Sequence, residues 1–267
     1  MRPTLKKSSA IEKTQLKSPL NNNLPANLIV LRGETQKDVN CTVLTHLANR
    51  FSKESVIKAL DLPCGNMAFL FYLRALFPLA ELVGADLMKP EVQNNDIRFV
   101  QMDLTKDFTL PADEQFDLIT SISGIMMFSN TLSFIENCIL RLKKGGTFVL
   151  TNDNSATIID RLAFLFLGRF RIFKSIYEDT EELTENVPAQ ELCRLLRTHG
   201  VAIETIKYTS FYLKDIKYLP IALLVYPFQL LYLSRLKTDL PRWLKWQMYP
   251  FKHLFCKHYI IIGRKER

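Results

Sequence analysis

The chain has 267 residues, 48% of them hydrophobic, and a formal net charge of +8. That length suits one α/β domain with insertions, and the apolar content supplies a core that needs neither disulfides nor a metal to fold. The five cysteines show no CxxC or Cys/His ligand spacing, which argues against a structural zinc site and fits a reducing compartment.

Residues 1–24 hold five Lys/Arg against one Glu and no apolar stretch, so they are expected to be a disordered basic tail. They contain no hydrophobic signal-peptide region, and the expected location is the cytoplasm. Residues 25–267 are expected to form one domain. Within it, residues 25–204 carry 18 basic and 23 acidic groups, whereas residues 205–267 carry 12 basic and three acidic ones. A basic end on an acidic body suggests an anionic surface as partner.

From about residue 37 the pattern turns helical, with Val39, Val43, Leu44, Leu47 and Phe51 at three- and four-residue spacing. Residues 56–62 (VIKALDL) read as a strand and 66–77 as a helix ended by Pro78. Strands follow at 81–86 and 97–103, then at 116–123 (FDLITSIS), with a helix over roughly 132–142. Lys143-Lys144-Gly145-Gly146 reads as the stop of that helix, cations at its negative end and glycine at its cap. A fifth strand covers 147–152, a further helix 187–200, and two last strands 201–208 and about 257–263. Apolar strands alternating with helices describe a doubly wound, Rossmann-like, mostly parallel seven-stranded sheet with helices on both faces.

Ligands of such sheets bind beyond the carboxyl ends of the strands. Here those positions hold Asp61-Leu62-Pro63-Cys64-Gly65, then Asp86 with Leu87, Asp103 with Leu104, and Ser121-Ile122-Ser123-Gly124. The run ALDLPCG, GADL, VQMDL, FDLITSIS and LKKGGTFVLTN resembles the class I S-adenosylmethionine-dependent methyltransferases in order and spacing over about residues 55–155. That resemblance implies S-adenosyl-L-methionine as cofactor. It implies that Asp61 and the Pro63, Cys64, Gly65 turn hold its methionine part, Asp86 and Leu87 its ribose, and Asp103 and Leu104 its adenine. Ser121 would line the methyl-donor pocket. In the family's GxGxG-like turn this chain has Pro63, Met67 and Ala68 at places usually taken by glycine. A nicotinamide dehydrogenase would instead place GxGxxG under a pyrophosphate, which an Asp inside the turn would repel.

The fourth strand lacks the Asn/Asp-Pro-Pro-Tyr/Phe run that resembles amino-methylating enzymes, so O- or C-methylation is expected. Ser123, Met126, Met127 and Phe128 are candidate acceptor-site residues, the last three as an apolar wall. Residues 214–252 form an apolar, basic insert between the last two strands: 218–233 is an uncharged run interrupted by Pro220 and Pro227, followed by both tryptophans. Basic flanks with Trp and Tyr match an interfacial segment that docks on anionic membrane, at its inner face, and collects a hydrophobic or lipid-linked small-molecule acceptor. A lid over a soluble acceptor such as a metabolite or glycan, a dimer interface and a spanning helix stay open. Residues 157–176 add a second basic, aromatic-rich surface. The aliphatic bulk argues against nucleic acid as partner. His253 and His258 flank the last strand, but no catalytic residue and no metal ligand is assigned. A binding protein without turnover is the other function class.

Overall fold

The computed structural model describes residues 24, 28 and 30, and residues 33–91, 95–173 and 185–266. The expected disordered tail, apart from Leu24, and the stretch beginning at Lys174 lie outside these described residues.

Seven strands form the sheet: β1 (Lys58–Asp61), β2 (Glu81–Asp86), β3 (Ile97–Gln101), β4 (Phe116–Ile122), β5 (Leu142–Asp153), β6 (Val201–Thr209) and β7 (His258–Lys265). Their order is β3-β2-β1-β4-β5-β7-β6. The first five pair in parallel, and β7 runs antiparallel to both β5 and β6. Strand order reverses between β1 and β4, which creates the switch-point crevice at their carboxyl ends.

Each central strand is apolar on both faces because each face meets helices. On one side α1 (Val39–Arg50) and α2 (Ala68–Leu76) set Leu44 and Leu70 against Leu118, Val149 and Ile260. On the other, α3 (Thr131–Arg141) and α5 (Ala189–Thr198) set Phe134 and Leu192 against Ile119, Leu150 and Ile261. The alternation of Ile260 and Ile261 between the two cores is the two-residue period of a strand.

Two expectations are corrected. Lys143–Gly146 do not stop a helix but belong to β5. Phe116 pairs with Leu142 while Leu118 pairs with Thr147, so the extra residues bulge, with Gly145 at φ 79°. The Lys143 ammonium meets both carboxylate oxygens of Asp117 at 3.0 Å, which holds the lysine on the strand. Nor do the prolines break the insert. α6 (Leu219–Arg235) is a continuous 17-residue helix. Pro220 sits in its first turn, where no backbone donor is needed, and Pro227 lies within it on an exposed face.

The insert contains two different helices. α7 (Arg242–Met248) belongs to the main core: Leu244 and Met248 are buried, and the Tyr208 hydroxyl donates to the Met248 carbonyl at 2.5 Å. α6 lies outside that core. It rests on α4 (Ile158–Leu167) and on the 3-10 turn Phe251–Leu254, where Ala222, Val225 and Tyr226 meet Ile158, Leu162, Leu254 and Phe255.

Candidate active site

β1 ends in a buried carboxylate. Asp61 is 1% exposed and accepts a 2.6 Å hydrogen bond from the Thr120 hydroxyl on neighbouring β4. Among the described residues no lysine, arginine or histidine forms an ion pair with it. Burial first, and Asp86 nearby, push its pKa up to about 7 against the pull of the Thr120 hydrogen bond. The turn that follows is tied to β2. The Cys64 N–H donates to the Ala85 carbonyl at 3.0 Å, and the Gly65 N–H donates to the Asp86 carboxylate at 2.9 Å. Gly65 and Met67 both adopt left-handed backbone, φ 49° and 64°, and α2 starts directly after. Met67 thus takes a conformation that favours glycine, held there by a side chain that is 1% exposed in the core. A Cβ at Gly65 would strike the Glu34 carboxylate, which lies over the turn. Gly124 closes the other side, where a Cβ would strike the Pro63 ring.

Three carboxylates, those of Glu34, Asp61 and Asp86, therefore face one glycine turn. The residues fit a cationic ligand: the buried Asp61 has no counter-charge among the described residues, and the absence of a side chain at Gly65 lets the Glu34 carboxylate come against the same turn. Asp103 behaves differently. Its carboxylate accepts from the Thr105 N–H at 3.0 Å and hydroxyl at 2.6 Å, and these bonds, with Lys106, hold its pKa down at about 2. Leu104 is buried in the core and Leu87 is exposed at the end of β2, where the Gln101 amide donates to its carbonyl. Ser121 is fully buried and its hydroxyl has no hydrogen-bond partner among the described residues. Thr120, one residue earlier, is the β4 side chain that reaches Asp61. Of the apolar wall, Met126 and Phe128 are buried and Met127 is exposed on the 3-10 turn Ile125–Met127.

A second polar group sits at the ends of β4, β5 and β7. His258 is fully buried and pairs in register with Asp153 across the β5–β7 ladder. Its Nδ1 lies 3.1 Å from the Asp153 carboxylate, which can only accept, so the Nδ1 proton is held there. Nε2 is left as acceptor for the hydroxyls of Thr151 at 3.1 Å and Ser123 at 3.2 Å. Burial lowers the His258 pKa despite Asp153, so the ring stays neutral near pH 7. Ser123, half-buried, sits at φ 59°, a strained position for serine, and its hydroxyl meets that of Thr35 at 2.6 Å. Thr35 adjoins Glu34, so one short segment touches both the glycine turn and Ser123. His253, by contrast, is fully buried, shifted down to about 4 by burial, and bound to the Pro250 carbonyl and Arg161. Nothing in the local sequence marked Thr35, Thr120, Thr151 or Asp153 as site residues.

Residues 60–150 match a methyltransferase domain family. No curated protein sequence matches the chain. Solved structures that it resembles include a Bacillus halodurans protein assigned to the methyltransferases, 17% identical, TM-score 0.54, spanning 85% of this chain and 100% of that one. Another is a SAM-dependent methyltransferase of Archaeoglobus fulgidus, 14% identical, TM-score 0.51, spanning 85% and 94%. A Galdieria sulphuraria protein assigned as a sarcosine dimethylglycine methyltransferase is 14% identical, TM-score 0.54, spanning 85% of both chains. At these identities the likeness is one of fold.

Proposed function

We propose that the chain, whose residues 60–150 match a methyltransferase domain family, is an S-adenosylmethionine-dependent methyltransferase that methylates a hydroxyl group on a hydrophobic or lipid-linked small molecule. The observation that carries the hydroxyl is the buried chain Asp153–His258–Ser123 beside the glycine turn. The Asp61 carboxylate, the Pro63–Gly65 turn and Asp86 would hold the cofactor, with Glu34 adding negative charge. Bound there, S-adenosylmethionine supplies an electrophilic methyl group on a sulfonium, which leaves as a neutral thioether.

An alcohol needs help losing its proton as its oxygen attacks. Ser123 is placed to take that proton on Oγ while passing its own to Nε2 of His258. Asp153 holds the ring in the right tautomer and offsets the imidazolium charge. The hydrophobic character of the acceptor is supported by the exposed apolar faces of α4 and α6, which flank the same end of the sheet.

Incubation of the protein with deuterated-methyl cofactor and with lipid and aqueous extracts tests this by mass spectrometry. A labelled methyl ether in the lipid fraction is expected. Label on nitrogen, or in water-soluble products alone, would overturn the reading. With the product in hand, His258→Gln should lower kcat by about 10²–10⁴-fold while S-adenosylhomocysteine binds as in the parent protein.

A further inference from the structure

The outer surface of α4 and α6 exposes large apolar side chains. We propose that these two helices form a docking face that lies flat on an anionic lipid bilayer. The proposal rests on the methyltransferase reading only for its purpose, delivery of an acceptor from the membrane.

α6 buries a single stripe. Tyr218, Ala222, Val225, Tyr226, Gln229 and Leu233 point to the body at three- and four-residue spacing. The opposite stripe stays in solvent: Leu223 is 58% exposed, Leu224 and Phe228 68% each. On adjoining α4, Phe164 is 54%, Leu165 73% and Phe166 76% exposed. Leu162 of α4 and Val225 of α6 pack against the same small cluster, and Arg161 donates to Gln229 at 2.7 Å, so the exposed apolar groups lie on adjoining elements. Apolar faces of this kind mark a binding surface.

Cations without ion-pair partners among the described residues frame it: Lys214 and Lys217 before α6, Arg235, Lys237 and Arg242 after it. Across 211–252 seven Lys/Arg stand against two Asp, and no acid occurs from 216 to 238. One of those two, Asp215, is buried against Lys257 at 3.1 Å. A rim of this sign suits anionic headgroups. It opposes pairing of two copies through the same face, which would bring like charges together.

The segment Leu213–Arg235 is long and apolar enough, by length and composition, to cross a membrane. The fold holds it otherwise. α6 itself has 17 residues, about 26 Å of helix, against a hydrocarbon core of about 30 Å. The buried Asp215–Lys257 pair anchors the chain before it, and Lys245 Nζ donates to the Leu233 carbonyl at 2.7 Å near its end. A helix tied to the body at both ends, with one long side free, lies in an interface.

Co-sedimentation of the full chain with vesicles tests the proposal. Vesicles of phosphatidylcholine with about one-third phosphatidylglycerol should bind it at least about tenfold more tightly than phosphatidylcholine alone, less so at high salt. The pair Leu224→Glu/Phe228→Glu should lower that binding at least about tenfold. The separate pair Lys214→Glu/Lys217→Glu should do so at low salt. Circular dichroism and S-adenosylhomocysteine affinity should stay unchanged in both. Equal binding of parent and variants, or no vesicle binding together with a dimer that Leu224→Glu/Phe228→Glu disperses, would overturn it. Vesicle binding without cofactor binding would fault the methyltransferase reading alone, and the converse would fault docking alone.

Discussion

The Asp61 carboxylate is buried without a paired cation among the described residues, and its pKa of about 7, against an ordinary 3.8, has consequences of a definite sign. The folded state prefers the proton on this group, so its contribution to stability is greatest below about pH 4 and is lost as pH rises through 7, by an amount on the order of 4 kcal/mol. A bound cation reverses that preference. Affinity for S-adenosylmethionine should therefore rise with pH, by at most about tenfold per unit, and level off above about pH 7. Asp61→Asn should bind more weakly, show a flat profile in calorimetric titration, and unfold at a higher temperature than the parent at pH 8. Met67 is the complementary case. Its left-handed backbone costs about 1 kcal/mol, but its buried side chain contributes about 2–5 kcal/mol. Met67→Gly should thus lower stability by about 1–4 kcal/mol in urea titration, although glycine suits the backbone better.

At this scale the sequence revealed strand ends but not side-chain directions. Asp61, Gly65 and Asp86 could be placed by spacing alone, and the hydrogen bond from Gly65 to Asp86 joins them. Ser121 was expected to face the donor pocket, yet one residue of register puts Thr120 on the Asp61 face and Ser121 on the other. Asp153 and His258 stand 105 residues apart and meet only through strand pairing, which no local pattern carries.

Among the elements, α4 has the strongest local device. Thr157 caps it by accepting from the Asp160 N–H, and the Thr157 hydroxyl donates to the Asp160 carboxylate at 2.6 Å. The same fully buried carboxylate takes the Arg171 backbone N–H at 3.0 Å and its guanidinium at 3.1 Å. Arg171 in turn donates to the carbonyls of Asn154 and Lys257, both close to the Asp153–His258 pair. Asp160→Ala should cost about 3–5 kcal/mol, because it leaves Arg171 half-buried and unpaired. Thermal unfolding would measure that loss, and Thr157→Ala should cost about 1 kcal/mol. Helices with a clean stripe, such as α5, could be read from the pattern within two residues. The insert could not: α6 is apolar nearly all round, so periodicity gave no face, and its two prolines looked like breaks. The lysines before Gly145 looked like a helix cap because Asp117, which draws one of them onto β5, lies in another strand.

For the whole molecule the useful contrast is between the two insert helices. α7 completes the main core, whereas α6 is held by edges and one narrow stripe. Met248→Ala should lower stability by about 2–5 kcal/mol, while Leu224→Ser should change it by less than about 0.5 kcal/mol. Chemical denaturation of the two variants side by side checks this. The doubly wound sheet was legible from the alternation of apolar strands and helices. The uneven charge was legible too, as a number per segment, but only the folded chain brings the C-terminal cations around one apolar face.

The antiparallel course of β7 bears on how such a protein can change. Because β6 leaves the sheet, and β7 re-enters it, at the end where the carboxylates gather, the outer part of the stretch between residues 210 and 257, α6 above all, hangs over that end like a visor, while α7 stays in the core. Lengthening, shortening or exchanging the visor's outer part leaves strand order, glycine turn and Asp61 in place. On the proposed function, donor grip and acceptor choice would then be decoupled, and a lineage would adopt a new acceptor by rewriting one contiguous stretch of gene.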